Sequence, residues 1–571
     1  MLYFQQAKYK MEQRKQPTSQ SYPLPYVIED VKQWPISKLA EDRDGFMAQV
    51  KDATLEKLYA RLKNDDDLKE ELAKVLFQER VRLTEKPWKA DPPDEREFWG
   101  SIKSKFMKVD TEDSSITSQQ LTNEILDRYI QEITGNFENN SFQLARTILP
   151  QFFGRVLNAA PGQWFKNLSS NARTIHEKIP ITGDVERIRK LSEKGTLIVV
   201  PTHFSNMDSI MVGWVLNELG LPAFTYGAGL NLFSIKLLSY FMSRLGAYKV
   251  DRRKKNNFYL EALKTYSCVA LQRGAHSIFF PGGTRSRSGM LEKRLKLGLL
   301  GTAVEAQKLH FKNYPENIAP KFFVVPMVIN YHFVLEASGL INDYLKDVGK
   351  HLYIRENDEY STSFKMLRFM LKFLTASSSL TISLGNVMDV FGNEVDDEGN
   401  SFNHLGHPID IKRYFMTNGE LTDDQQRDEE YTKILSERIV ESYWKVNTVL
   451  TSNLVCFTFF ELIKKRYPKV DLFTLLRTPV EDISIPEQEL FDAIGKLKDK
   501  LKEMAGNGEI QTSPELRWNI DKIVEHGMKN VNLYLVSNPI KKSGNAYESE
   551  DLKLLYYYRN RLEGYGLDKW I

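Results

Sequence analysis

The stretch VVPTHFSNMDS, residues 199–209, carries a histidine five positions before an aspartate, directly after a run of strand-forming residues. The run TLIVV at 196–200 is largely apolar and β-branched, which predicts a buried strand. Pro201 ends that run, so we expect His203 at the carboxyl end of the strand and Asp208 in the first turn of the next helix. At such a junction the chain can fold the carboxylate back onto the imidazole ring.

Two interpretations of this pair are open. In a catalytic dyad, Asp208 accepts a hydrogen bond from Nδ1–H and stabilises the imidazolium, while Nε2 of His203 acts as a general base. In the structural interpretation, His203 is a satisfied histidine beside a helix-capping aspartate. The chain has no G-x-S-x-G nucleophile elbow, so a catalytic dyad would activate a nucleophile that the substrate supplies, such as a hydroxyl.

Short β-rich runs and helical segments alternate around this stretch. The further runs lie at 222–227, 247–250, 276–280, 322–329 and 380–385. Their alternation with helical segments predicts an α/β fold with a largely parallel sheet flanked by helices. Sites in such sheets form at the carboxyl ends of the strands.

The pattern divides the chain into four regions. We expect an extended polar tail at 1–35, a helical N-terminal domain at 36–165, an α/β domain at 170–415 and a helical C-terminal region at 420–571.

Local signals add detail to these regions. Capping-box spacing at Thr117 and Gln120, and at Asp67 and Glu70, predicts two helix starts in the N-terminal domain. The acidic segment at 391–403 lacks EF-hand spacing, so we expect a solvated loop there.

Composition limits the functional classes. A formal net charge of +3 is close to balance and does not indicate a nucleic-acid-binding protein. Two cysteines exclude a disulfide framework and a cysteine-based zinc cluster, and we expect no metal. The first residues contain no long apolar run, and the chain contains no stretch of ~18 apolar residues, so we expect neither a signal peptide nor a membrane-spanning helix.

Two segments combine large apolar residues with Lys and Arg. They lie at 232–245 and 363–373. A basic amphipathic helix can lie on an anionic membrane surface, and we expect peripheral association on the cytoplasmic side. The alternative is a core-facing helix whose long cations reach solvent.

A second motif suggests an anion site. In HSIFFPGGTRSRSG, at 276–289, a strand leads into a glycine turn that carries Arg285 and Arg287. Glycines let backbone N–H groups approach an anion, and arginines can grip a phosphate through charge-assisted hydrogen bonds. The basic run at 252–255 follows another strand and is either part of the same site or a solvated charge run.

Taken together, four blocks in this order resemble the sequence blocks of the glycerolipid acyltransferases. They are H-x-x-x-x-D at 203–208, G-A-Y-K-V-D-R at 246–252, F-P-G-G-T-R-S at 280–286 and V-P-M-V-I at 325–329. The resemblance is greatest to the glycerol-3-phosphate acyltransferase branch.

The resemblance implies acyl transfer to the sn-1 hydroxyl of glycerol 3-phosphate, with acyl-CoA or acyl carrier protein as co-substrate and no resident cofactor. It implies that His203 is the base and that Asp208 orients it. The substrate-binding positions implied by the blocks are Arg252, Gly283, Thr284, Arg285, Ser286, Arg287 and Pro326, with the arginines on the phosphate, Lys254 or Lys255 assisting, and Pro326 on the donor side.

One position departs from the usual pattern. Gly282 stands where the third block commonly has a glutamate that helps to bind the acceptor. Other acceptors, such as lysophosphatidate or dihydroxyacetone phosphate, therefore stay open. So does a non-catalytic lipid-binding or acyl-carrier-binding protein, although it would have no need of both His203 and Asp208.

Overall fold

The computed structural model describes residues 22–85, 88, 91–109, 116–145, 179–230, 240, 242–314, 320–349, 380–478, 483–532 and 537–571. The basic amphipathic segment at 363–373 lies outside these residues, as does most of the segment at 232–245. Their contact with a membrane surface therefore stays a prediction.

The helices and strands of the described residues are numbered here in chain order. The α-helices are α1 (Pro35–Glu41), α2 (Arg43–Arg61), α3 (Asp65–Glu85), α4 (Glu95–Phe106), α5 (Ser118–Ile133), α6 (Val185–Lys194), α7 (Asp208–Glu218), α8 (Asn257–Gln272), α9 (Leu297–Asn313), α10 (Ala337–Gly349), α11 (Gln425–Val446), α12 (Thr451–Arg466), α13 (Leu472–Leu475), α14 (Glu487–Gly506), α15 (Ile520–Val531) and α16 (Leu552–Arg559). The strands are β1 (Ile181–Thr182), β2 (Gly195–Pro201), β3 (Thr225–Gly229), β4 (Ala247–Val250), β5 (Ser277–Ile278), β6 (Lys321–Tyr331), β7 (Leu380–Leu384), β8 (Glu394–Val395), β9 (Ser401–Phe402), β10 (Pro408–Ile409), β11 (Met416–Thr417), β12 (Glu420–Leu421), β13 (Thr448–Val449), β14 (Ser484–Pro486), β15 (Gln511–Thr512), β16 (Lys541–Ser543) and β17 (Ala546–Glu548).

A mostly parallel sheet forms the centre of the molecule, and this confirms the predicted α/β class. Its described strands follow the order β1-β7-β6-β2-β5-β3-β4. Strands β6 and β7 pair antiparallel, and the other neighbouring strands of this sheet pair parallel. Strand β2 is buried between β6 and β5, so its carboxyl end opens near the middle of the sheet edge, where sites of such folds form.

The strand predictions differ from the structure mainly at their ends. Strand β4 has the predicted bounds, and β6 extends the predicted run by a few residues. Strand β3 begins at Thr225 rather than at Pro222, since a proline has no N–H to give to a ladder. Strand β5 keeps only two residues of its predicted run, because the chain turns into the glycine-rich segment that follows.

The N-terminal helices pack against α8 through an apolar core. Aromatic side chains join the two sides, with the rings of Phe46 and Tyr266 5.1 Å apart and those of Tyr129 and Tyr259 5.3 Å apart. The apolar face of α5, read from its 3.6-residue periodicity, is buried at Leu121, Ile125, Tyr129 and Ile133. These helices therefore cover one end of the sheet beside β4.

One predicted capping box is present and one is wrong. Thr117 Oγ1 accepts from the Gln120 N–H at 3.2 Å, and the Gln120 side chain accepts from the Thr117 N–H at 3.0 Å. Helix α3 begins at Asp65, before Asp67, and the Asn64 side chain accepts from the Asp67 N–H at 2.8 Å. The earlier start is favoured because aspartates in the first turn complement the helix dipole.

The C-terminal region is helical, as expected, and shares one hydrophobic core with the sheet. That core joins Val200 of β2 to Leu454 of α12 and Leu555 of α16. The Tyr443 hydroxyl of α11 also donates to the Val200 carbonyl at 2.8 Å. The strand that leads to His203 is thus held from the C-terminal side. The acidic segment at 391–403 forms part of the small β8–β9–β10 sheet.

Among the helices of the described ranges, none is both long enough and apolar enough to span a bilayer.

Replacing Thr117 with Ala tests the capping box of α5. The Gln120 N–H would lose its acceptor, and we expect a loss of about 1 kcal/mol in the free energy of unfolding of the N-terminal helices. Hydrogen exchange at the first turn of α5, together with denaturant unfolding, measures this loss. Thr84→Ala, at the exposed end of α3, is the matched control and should change little. Equal exchange in both variants would contradict the capping role.

Candidate active site

The end of β2 is fixed to β6 directly before His203. The Thr202 N–H donates to the Met327 carbonyl at 2.9 Å, and the Thr202 hydroxyl accepts from the Ile329 N–H at 3.2 Å. These bonds continue the β2–β6 ladder for one residue beyond the strand. His203 therefore leaves the sheet from a position that the backbone fixes.

Asp208 is the most heavily hydrogen-bonded side chain of this junction. Its Oδ2 lies 2.8 Å from Nδ1 of His203 and accepts from the N–H groups of Phe204 at 2.6 Å and Ser205 at 2.9 Å. Its Oδ1 accepts from the Tyr331 hydroxyl at 2.6 Å. The carboxylate is completely buried, and these donors replace the water that it gives up. The predicted contact between Asp208 and His203 is thus present.

The arrangement assigns the imidazole a definite tautomer. The carboxylate 2.8 Å away accepts a hydrogen bond from Nδ1–H, so the neutral ring carries its proton on that atom. Burial raises the pKa of Tyr331 well above its usual value, as does the nearby Asp208 charge, so the tyrosine stays a donor. Within the described residues, Nε2 of His203 has no hydrogen-bond partner, and the side chain is 15% exposed. The ring of Phe280 packs 4.4 Å from the imidazole.

The glycine turn of the third block is joined directly to the histidine. The Ser286 N–H donates to the His203 carbonyl at 2.7 Å. Gly283 has a φ of +77°, and a Cβ there would come within 2.9 Å of Lys296 Cγ, so both backbone and space require glycine. The Ser286 hydroxyl donates to the Met290 carbonyl at 2.7 Å, and Thr284 is exposed on the turn.

The arginines expected to bind phosphate take different positions. Arg252 is exposed, and within the described chain it has neither a hydrogen bond nor an ion pair. Partial desolvation, and after it the positive charge of nearby Arg285, lower the pKa of Arg252. Arg285 lies 3.4 Å from Glu336, and Arg287 forms an exposed ion pair with Asp347. Binding of substrate by these residues stays a prediction.

The other cations of the basic run are used differently. Lys254 is buried in an ion pair with Glu132, which does not fit the expected assistance in phosphate binding. Arg253 pairs with Asp91 and Asp251. Lys255 is exposed.

Pro326 lies in the buried part of β6, opposite Val200 of β2. Its carbonyl accepts from the Gly385 N–H at 2.8 Å, just beyond the end of β7. A proline is tolerated here because the β6–β7 pairing stops at Met327, next to Pro326, so the missing N–H removes no bond of that ladder. Its link to the donor side stays a prediction.

Two residues that sequence reasoning missed complete the site. Tyr331, two residues beyond the fourth block at the end of β6, donates to Asp208. Glu336 accepts from the Ser205 hydroxyl at 3.0 Å and from the Asn206 N–H at 2.9 Å. It therefore joins the loop at 202–207, called the histidine loop below, to Arg285. The position of Tyr331 beside the fourth block was an available signal, whereas no local pattern marks Glu336.

A carboxyl group fills the space beside Gly282. A Cβ added to Gly282 would lie 3.0 Å from Glu292 Oε1 and 3.2 Å from its Cγ. The same Oε1 accepts from the His203 N–H at 3.2 Å, while Oε2 is buried without a partner among the described atoms. Burial raises the pKa of Glu292, and backbone hydrogen bonds, one of them from the His203 N–H, oppose this shift together with the charge of Arg561. A carboxyl group therefore stands beside the third block even though Gly282 supplies none.

The comparisons with known proteins agree with this geometry. Residues 183–330 match the family model described as Acyltransferase. Residues 183–330 therefore form an acyltransferase domain. All four sequence blocks and both members of the His203–Asp208 pair lie within it.

Relatives of the acyltransferase domain lie in the glycerol-3-phosphate acyltransferase branch. The chain is 26% identical over 217 residues to the glycerol-3-phosphate acyltransferase of Alteromonas mediterranea, covering 38% of this chain and 23% of the relative. It is 30% identical over 178 residues to that of Histophilus somni, covering 30% and 20%. It is 24% identical over 322 residues to that of Actinobacillus pleuropneumoniae, covering 55% and 35%. The matches thus span between a fifth and about a third of the length of these relatives.

Within the parts of the chain that the structure describes, no group of three or more His, Cys, Asp or Glu side chains is arranged to hold a metal ion.

Replacing Gly282 with Glu in the acyltransferase domain tests the space beside the glycine turn. We expect a loss of about 1–3 kcal/mol in stability, because the new side chain would overlap Glu292 and set two carboxyl groups side by side. The double variant Gly282→Glu/Glu292→Ala should recover much of this loss. Thermal unfolding of both variants measures it.

The control is Gly298→Glu, since a Cβ at Gly298 meets only Lys264 Cε, at 3.9 Å. If Gly282→Glu is as stable as this control, Glu292 does not occupy the space.

Proposed function

We propose that this protein is a glycerol-3-phosphate acyltransferase that moves a fatty acyl group from a thioester to the sn-1 hydroxyl of glycerol 3-phosphate. The observation that carries the proposal is the His203–Asp208 contact at 2.8 Å, which leaves Nε2 without a partner among the described residues. Arg285 is joined to the histidine loop through Glu336. The names of the relatives support the choice of acceptor.

The proposed reaction needs no enzymic nucleophile. Nε2 of His203 takes the proton of the acceptor hydroxyl as its oxygen attacks the thioester carbonyl carbon. The tetrahedral intermediate then collapses, the carbon–sulfur bond breaks, and the imidazolium returns its proton to the departing thiolate. The products are 1-acylglycerol 3-phosphate and a free thiol. Asp208 stabilises the imidazolium that forms between the two proton transfers.

Charge balance supports a phosphate on the acceptor. Arg252 and Arg285 are like charges whose proximity is unfavourable when no anion is present. A phosphate dianion between them would remove this repulsion and form charge-assisted hydrogen bonds. Glu336 lies 3.4 Å from Arg285 and links it to the histidine loop. An acceptor bound by its phosphate would therefore be held at a set distance from the base.

The donor and the place of action belong to the proposal as well. Acyl-CoA and acyl carrier protein both present an acyl thioester, and either suits the chemistry. The product is an amphiphile that would partition into a bilayer, so we propose peripheral association with the cytoplasmic side of a membrane.

Thiol release in the presence of glycerol 3-phosphate tests the function directly. Palmitoyl-CoA and an acyl-acyl carrier protein are supplied as donors, and glycerol 3-phosphate, dihydroxyacetone phosphate and lysophosphatidate as acceptors. We expect release that depends on glycerol 3-phosphate, and we expect His203→Ala to lower kcat by at least about 10²-fold, the usual range for general-base catalysis.

The other outcomes of this assay are also informative. Release with another acceptor only would replace glycerol 3-phosphate in the proposal. No release with any pair, from folded protein supplied with lipid vesicles, would favour a binding protein instead.

Alanine variants of the arginines test phosphate binding. Arg252→Ala and Arg285→Ala should each raise KM for glycerol 3-phosphate about 10- to 100-fold, the cost of a lost charge-assisted hydrogen bond. Arg287→Ala should have a smaller effect, because that side chain is paired with Asp347 at the surface. Steady-state kinetics with the acceptor varied measures all three. An effect of Arg287→Ala as large as that of Arg252→Ala would show that Arg287 leaves Asp347 to bind substrate.

A further inference from the structure

The loop at 251–257, which contains Arg252, is attached on one side to the N-terminal helices. Arg253 makes two hydrogen bonds to the Asp91 carboxylate, one of them 3.1 Å long, and its guanidinium lies 4.1 Å from the ring centre of Trp88. Arg253 also donates to Asp251 at 2.9 and 2.7 Å. One side chain thus connects the loop to the segment before α4.

The next residue of the loop makes a second attachment. Lys254 is 3% exposed, and its ammonium forms an ion pair with Glu132 of α5 and lies 3.6 Å from Glu95 of α4. It also lies 4.8 Å from the ring centre of Tyr129. A buried cation held by two carboxylates has little freedom to move, because any displacement leaves a charge unpaired.

A third attachment closes the loop. The side-chain Nδ2 of Asn256 donates to Glu79 of α3 at 3.0 Å and to the Tyr129 hydroxyl at 2.8 Å. Its side-chain Oδ1 caps α8 by accepting from the Tyr259 N–H at 2.9 Å. The loop is therefore fixed at Arg253, Lys254 and Asn256 to groups from the N-terminal helices.

Arg252 differs from these neighbours. Within the described residues it has no polar partner, and it is near enough to Arg285 for that positive charge to lower its pKa. A long side chain without a partner is positioned mainly by its backbone. The attachments at Arg253 and Lys254 directly follow Arg252, and the Asp251 N–H before it donates to the Tyr259 hydroxyl at 2.7 Å. The backbone of Arg252 is thus fixed on both sides.

We propose that the N-terminal helices position Arg252 for the phosphate of the acceptor, with Asp91 and Glu132 as the positioning residues. The inference rests on the proposed function only in taking phosphate as the group that Arg252 binds. Neither acid touches the substrate in this account. Each acts through the loop cation that it holds.

The direction of the change in phosphate affinity distinguishes a loss of positioning from the loss of a negative charge. Removing a carboxylate near the site raises the local positive potential, and this alone would strengthen phosphate binding. Loss of the attachment would instead let Arg252 move away from Arg285 and weaken binding. The two mechanisms therefore predict changes of opposite direction in the affinity for phosphate.

The test compares Asp91→Asn and Glu132→Gln with the control Asp42→Asn. Asp42 forms an exposed ion pair with Arg273 at 2.7 Å, so it also connects the N-terminal helices to the end of α8, but it does not touch the loop at 251–257. Calorimetric titration with inorganic phosphate and with glycerol 3-phosphate gives Kd, and steady-state kinetics gives kcat and KM. Thermal unfolding checks that each full-length variant is folded.

We expect each of the two loop variants to raise Kd for inorganic phosphate and KM for glycerol 3-phosphate by about tenfold, with kcat within about twofold of wild type and the control unchanged. Unchanged or tighter phosphate binding in both loop variants would overturn the inference, as would an equal loss in the control. If one variant does not fold, the other gives the same decision, because the two acids hold different cations.

A failure of the proposed function can be distinguished from a failure of this inference. Wild-type protein that binds phosphate but transfers no acyl group would refute the acyltransferase proposal and leave the positioning of Arg252 measurable. If the Arg252→Ala variant binds phosphate as tightly as wild type does, the positioning inference is refuted.

Discussion

The buried carboxylate of Asp208 is the group around which the site is arranged. It accepts hydrogen bonds from the imidazole of His203, from two backbone N–H groups of the same loop and from the Tyr331 hydroxyl. A buried charge is costly without such partners, so any movement of the loop or of β6 is opposed by the loss of a strong hydrogen bond. The hydrogen bonds that satisfy this buried carboxylate thus also fix the base.

The rest of the site is built outward from this group by contacts between distant segments. The glycine turn binds the His203 carbonyl through the Ser286 N–H, and Glu336 connects the same loop to Arg285. The C-terminal region reaches β2 through Tyr443, and the N-terminal helices hold the loop beside Arg252. Base and proposed phosphate site therefore belong to one connected network, in which the flanking helical regions take part.

The sequence predicts the parts of this network that are local. A strand, a proline and a helix start within ten residues are enough to place His203 and Asp208, and the glycine turn is equally local. Contacts with residues far along the chain are not predictable in this way. Lys254 and Arg253 looked like free cations because their partners Glu132 and Asp91 stand 122 and 162 positions earlier. Glu336 was missed for the same reason.

The space beside Gly282 has a consequence for how such chains are compared. Read position by position, the third block carries no acid. In three dimensions the carboxyl group of Glu292, supplied ten positions downstream, lies against the same glycine and accepts from the backbone of His203. A carboxyl group can thus lie beside a motif although no residue of the motif supplies it. Chains of this kind are better compared by where their acids lie in space than by one letter of the motif.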